Sequence, residues 1–113
     1  MTVATAPKWT CAGCGVAASR SDGELTPLPA SWESGGEGTF CLGCRRVRVA
    51  EAAVDSAPAA ADREARARLR RAAIVEFEVL RAPDRPNGSI AKACRSSVPA
   101  VIAARRRLDG ATG

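Results

Sequence analysis

Residues 89–109 read Ser89-Ile90-Ala91-Lys92-Ala93-Cys94-Arg95-Ser96-Ser97-Val98-Pro99-Ala100-Val101-Ile102-Ala103-Ala104-Arg105-Arg106-Arg107-Leu108-Asp109. Their spacing predicts two short helices joined by a tight corner. Ile90, Ala91 and Cys94 recur at helical spacing, Arg95-Ser96-Ser97 interrupts it, and Val98, Val101, Ala104 and Leu108 resume it. Ser97 stands where a helix N-cap belongs, with its hydroxyl able to accept a backbone N–H of the following turn. Pro99 falls in that first turn, where the missing donor costs little.

Working outward, the preceding segment predicts a long helix from Asp62 to about Arg81. Asp62 and Glu64 at its start complement the helix dipole. Its expected apolar stripe is Leu69, Ala73, Phe77 and Leu80, with Ile74 alongside, opposite Arg63, Arg66, Arg68, Arg70 and Arg71. Pro83 and Pro86 forbid its continuation, and Asn87-Gly88 reads as a turn leading into the next helix. A helical segment at 61–109 follows, with 110–113 as a tail and Asp55-Ser56-Ala57-Pro58-Ala59-Ala60 as a linker by composition.

The N-terminal segment, 1–54, is organised by cysteines. Cys11 and Cys14 form one C-x-x-C pair and Cys41 and Cys44 a second, with 26 residues between the pairs. Paired C-x-x-C motifs are a metal-binding signature. The chain has no histidine, so the ligand set is all sulfur, which suits one tetrahedral Zn²⁺. With all four positions filled, such a zinc is structural. Four thiolates also suit an iron–sulfur centre, and two disulfides are a further alternative. Between the pairs, Glu24-Leu25-Thr26 and Ser31-Trp32-Glu33 read as short strands. Gly35-Gly36-Glu37-Gly38 makes a turn before Thr39-Phe40, giving a small β-hairpin. After Cys44 the sequence turns helical, with Val47, Ala50 and Val54 on one face. Trp32 and Phe40 are the expected non-metal core of this segment. The expected fold class is mainly α with a small β-hairpin. The order knuckle, hairpin, then helix at the second C-x-x-C resembles a treble-clef zinc finger, followed by a C-terminal helical bundle expected to contain a helix-turn-helix.

Composition bounds the function. The chain has 113 residues and a net charge of +5. Five basic residues balance five acidic ones through Val54, whereas twelve face seven from Asp55 onward, so the excess belongs to the helical half. A basic excess there favours a polyanionic partner through counterion release; solvated arginines on helix faces would give the same composition. No apolar run approaches the ~18 residues of a membrane span. The N-terminus lacks the charged-then-apolar pattern of a signal peptide, so a cytoplasmic chain with reduced thiols is expected. There is no histidine, no nucleophile-elbow or phosphate-loop motif and no metal site with an open position, so an enzyme is not expected. Cys94 reads as a small apolar packing residue.

The two helices about Arg95 resemble a helix-turn-helix, with Val98–Leu108 as the recognition helix. Together with the C-x-x-C…Trp32…C-x-x-C-Arg45 finger, the chain resembles small actinobacterial or phage regulators that join a four-cysteine treble-clef zinc finger to a helix-turn-helix. That resemblance implies a transcription-linked, DNA-binding role. Such motifs carry glycine at the corner, so Arg95 in its place either departs from that corner geometry or demands a strained or left-handed arginine. At about 100° per residue, the outward face of the second helix holds Pro99, Ala100, Ala103, Arg106 and Arg107, with Ile102 at its flank. Its first two turns contain none of the side chains that read base edges best. The expected DNA-contact set is therefore Arg95, Ser96, Ser97, Pro99, Ala103, Arg105, Arg106 and Arg107, mostly on phosphates. The same smooth face would equally dock a protein such as RNA polymerase, which makes the chain a protein–protein adaptor in the alternative reading.

Overall fold

A computed structural model describes residues 5–6, 8–19 and 26–112. Of the expected strand Glu24-Leu25-Thr26, Glu24 and Leu25 lie outside them, and Thr26 is in a two-residue strand, Thr26–Pro27. The fold is mainly helical with small antiparallel β-pairs, and it divides into two compact units, Met1–Arg46 and Val47–Gly113.

In the first unit, β1 (Thr5–Ala6) pairs with β4 (Thr26–Pro27), β2 (Lys8–Thr10) with β3 (Ala17–Ser19), and β5 (Glu33–Gly35) with β6 (Gly38–Phe40), all antiparallel. The β5–β6 hairpin is the expected one, although Ser31-Trp32 precede it in a turn closed by Trp32 N–H to Pro29 O at 3.0 Å. The β2–β3 hairpin was not foreseen, because two three-residue strands are too short to show an alternation. It is held by the loop it encloses: Cys11 N–H donates to Val16 O and Gly15 N–H to Cys11 O, both at 2.9 Å. Gly15 supports this turn with φ +81, a conformation glycine adopts at no steric cost.

α1 (Leu42–Asp55) begins three residues earlier than the sequence spacing predicted, so Cys44 lies in its first turn. Residues 56–61 form hydrogen-bonded turns, including Ala57 N–H to Val54 O at 2.9 Å and Ala61 N–H to Pro58 O at 3.0 Å. α2 (Arg63–Arg81) is capped by Asp62, whose Oδ1 accepts from Ala65 N–H at 2.8 Å.

α3 (Asn87–Cys94) takes in Asn87 and Gly88, expected as a turn, because Pro86 supplies the extended lead-in and accepts from Ser89 and Ile90 N–H. α4 (Val98–Thr112) is capped by Ser97 Oγ, which accepts from Ala100 N–H at 3.2 Å. It runs four residues past the expected end at Leu108, so 110–112, expected as tail, are helix. Between α3 and α4 sits Arg95 at φ 55, ψ 45. Arg95 N–H bonds Lys92 O and Ser96 N–H bonds Ala91 O. This double bond is the Schellman closure, with an arginine in the left-handed position.

α2, α3 and α4 pack pairwise around Val75, Val79, Ile90, Ala91, Val101 and Ala104, with Cys94 and Leu108 against them. The α4 stripe is as expected at Val101, Ala104 and Leu108, but Val98 is exposed. The α2 stripe is a correction. Val75, Glu78 and Val79 are buried, whereas Leu80 is 66% exposed and Leu69 36%. The expected stripe lies on the far side of the helix from this cluster, where Phe77 is half-buried; Arg70, expected opposite that stripe, reaches Glu51 of α1 at 3.4 Å. Two apolar faces on one helix cannot be ranked by spacing alone. Glu78 is fully buried on the core side and paired with Arg81 at 2.8 Å and Arg85 at 3.5 Å, the condition under which a charge survives burial. Among the described residues no helix is long and apolar enough to cross a membrane.

Candidate metal centre and the basic helical face

The four cysteines converge. Their sulfurs all lie within 4.8 Å of one another, and Cys14 Sγ is 3.7 Å from Cys41 Sγ. Tetrahedral thiolate coordination with metal–sulfur bonds of about 2.3 Å places sulfurs about 3.8 Å apart, so the cluster fits one ion after a contraction of under about an ångström. Cys11 and Cys14 come from the loop between β2 and β3, Cys41 from the end of β6 and Cys44 from the first turn of α1. Ala12 N–H to Thr39 O at 2.7 Å fixes the first loop against the second hairpin. Arg45 secures the start of α1, donating to Ser31 O at 2.6 Å and pairing with Glu33 at 3.3 Å.

The backbone is preorganised for negative sulfur. Gly13 N–H and Cys41 N–H both donate to Cys11 Sγ at 3.3 Å. The Cys41 amide first, with the other loop amides, lowers the Cys11 thiol from 9.0 to about 6 against the opposing effect of burial. Cys44 is raised to about 12, chiefly because it donates a hydrogen bond to the Cys11 sulfur and further because it is desolvated. The loop amides thus favour negative charge on the Cys11 sulfur, with Cys44 placed to donate to it. Gly13 matters sterically, since a Cβ there would meet Cys44 Sγ at 2.8 Å.

Cys11 is the only fully buried residue among those described in the first unit. Trp32 and Phe40, expected as its core, are only half-buried, as is Trp9. Strands of two or three residues leave an aromatic ring without a second layer to cover it. The cysteine cluster is thus the centre of this unit.

In the second unit the residues expected to touch DNA fall into three groups. Arg95, Ser97, Pro99, Ala103 and Arg106 are exposed, and neither Arg95 nor Arg106 has a partner among the described residues. Ser96 is half-buried at the corner, and Arg107 pairs with Glu76 at 2.7 Å while staying half-exposed. Arg105 is committed elsewhere. Its guanidinium donates to Asn87 Oδ1 at 2.7 Å, Arg85 O at 2.8 Å and Pro83 O at 3.0 Å, bracing the loop before α3. Sequence spacing places Arg105 beside two other arginines but says nothing about the carbonyls that face it. Arg71, expected opposite the apolar stripe of α2 and absent from the DNA-contact set, is exposed and unpartnered among the described residues, beside Ser96, Ala100 and Ala103.

No protein-family model, curated protein or solved structure matches the chain.

Proposed function

We propose that the chain is a DNA-binding, transcription-associated regulator in which a treble-clef finger holds one structural zinc and α3–α4 act as a helix-turn-helix. Zinc is favoured by four sulfur ligands and a closed tetrahedral shell, with no position left for chemistry. The observation that carries the DNA reading is the charge pattern around the corner. No carboxylate occurs between Asp84 and Asp109. The neighbouring carboxylates are occupied, Glu76 by Arg107 and Glu78 by Arg81 and Arg85. Arg71, Lys92, Arg95 and Arg106 are left as exposed, uncompensated cations.

In this reading α4 enters a groove with Pro99 and Ala103 toward the bases. Arg95, Arg106 and Arg107 meet phosphates, and Ser96 and Ser97 border the corner. Arg105 is a brace and not a contact. The face offers phosphate donors and few base-edge readers, so affinity exceeds sequence selectivity.

The test is duplex binding against salt concentration. Affinity should fall steeply as salt rises, and Arg106→Ala with Arg107→Ala should weaken all duplexes alike and flatten the slope by about one unit per lost contact. Salt-independent binding, or no binding at low salt, would refute the reading.

A further inference from the structure

The face of α2 that borders α4 carries a trough that shares Ser96, Ala103 and Arg107 with the proposed DNA face but whose remaining apolar lining, Ala72, Val75 and Ala100, that reading leaves unused. A cavity of about 350 Å³ is floored by Ala72, Val75, Ala100 and Ala103. A second concavity of about 670 Å³ shares Arg68, Ala72 and Arg107 with it and continues toward Ala65 and Pro58. Arg68, Arg71 and Arg107 stand along the rim. Arg71 has no partner among the described residues. Arg68 is held only by an exposed contact to Glu64 at 3.4 Å, an ion pair of the kind worth little in water. Glu76, the one carboxylate in the trough, is neutralised by Arg107.

We propose that this trough docks an acidic amphipathic helix of a partner protein. The floor is apolar and built from small side chains, which lets a helix approach closely and set apolar residues one turn apart into the two adjoining concavities. The rim's available cations are Arg71, unpartnered among the described residues, and Arg68, weakly held by Glu64, while Arg107 on the α4 side is engaged by Glu76. Carboxylates flanking that apolar stripe thus find guanidinium partners on α2. A DNA backbone satisfies the rim but has nothing to fill the floor. Ala103 and Arg107 belong both to this trough and to the α4 face assigned to DNA. Where that assignment holds, the peptide and the duplex exclude each other, and the partner acts as an antagonist of DNA binding.

The probe is a fluorescent peptide about four turns long, with leucines at i, i+4 and i+7 and glutamates on either flank, against a scrambled peptide of the same composition. Anisotropy should show binding of the amphipathic peptide, weakened at least about tenfold by Arg71→Glu or Arg68→Glu. Lys92→Glu, a charge reversal on an exposed α3 residue that lines neither concavity, should leave it unaltered. Circular dichroism verifies that each variant is folded. Absence of binding, equal binding of the scrambled peptide, or equal weakening by Lys92→Glu would overturn the proposal. With labelled duplex in place of labelled peptide, saturating peptide should displace the DNA, and a duplex retained at saturation would overturn the antagonism. A chain that binds the peptide but no duplex at all would refute the DNA reading and leave the docking site standing.

Discussion

Arg95 holds a left-handed backbone that costs an L side chain roughly 1–2 kcal/mol relative to glycine. Its position, exposed and unpartnered at the corner between α3 and α4, offers no compensating contact within the fold. Arg95→Gly should therefore stabilise the helical unit by about 0.5 kcal/mol, the relief being partly offset by the freer unfolded chain, as read by urea denaturation. If the arginine is kept for phosphate binding, the same variant should bind duplex DNA more weakly; unchanged affinity would remove Arg95 from the contact set. Gly13 is constrained by contact and not by backbone angle. Gly13→Ala puts a methyl group 2.8 Å from Cys44 Sγ, so either the loop or the cysteine must move, and zinc affinity should fall measurably in competition with a chromophoric chelator. The thiols set the pH dependence. Ligands must lose their protons to bind metal, and Cys44, raised to about 12, still carries its proton at neutral pH while Cys11, lowered to about 6, does not. Binding thus releases thiol protons, and affinity should weaken steadily as pH falls from about 8 through neutral and more steeply below about 6, where Cys11 also takes up a proton. A pH-independent affinity across this window would contradict the assignment of the proton.

At the level of elements, the second unit is closed by a brace that no periodicity reveals. Arg105 joins α4 to the loop before α3 through three acceptors. Hydrogen bonds from a charged donor contribute more than neutral ones, so Arg105→Ala should destabilise the unit by about 2–3 kcal/mol in chemical denaturation. Arg105→Lys should recover little, since an ammonium cannot span the fork of three acceptors. A loss no larger than that of exposed Arg106→Ala would show the brace to be dispensable. What was legible in the sequence follows the same physics. Periodicity and capping chemistry gave α2 from Asp62 to Arg81, and the interruption at Arg95-Ser96-Ser97 gave the corner, because each depends on neighbours within one turn. The cysteine spacing pointed to the cluster whose sulfurs converge. The inward face of α2, the β2–β3 hairpin and the bond partners of Arg105 were not legible. Ala-rich helices carry several weak stripes, three-residue strands have no period, and a guanidinium's acceptors come from a loop 18 to 22 residues away.

Across the whole chain, the two units rest on different sources of stability. Val47–Gly113 has an apolar cluster contributed by three helices, and each buried aliphatic side chain contributes on the order of 1.5–3 kcal/mol. Met1–Arg46 has strands of two or three residues, half-buried aromatics and one fully buried described residue, Cys11. Among the described residues, burial of that extent contributes little against the backbone entropy of ordering a segment, roughly 1–2 kcal/mol per residue, so a metal held by the cysteine cluster, as proposed above, would be a main source of this unit's stability. Metal removal should therefore act on one unit alone. Adding a strong chelator to the metal-loaded protein should collapse the amide dispersion of the described residues in 5–41 in a ¹H–¹⁵N spectrum and fray the first turn of α1, where Cys44 is a ligand. The resonances of Val75, Ile90, Val101 and Ala104 should keep their positions, and the helical circular dichroism should fall only by the share of α1. Duplex binding by α4 should also survive, since every residue assigned to it lies in the second unit. Simultaneous loss of both sets of resonances would mean that the zinc site stabilises the helical unit as well and that the units do not fold independently. Full retention of the N-terminal resonances without metal would instead show that the hairpins hold the finger by themselves, with the thiols free for another use.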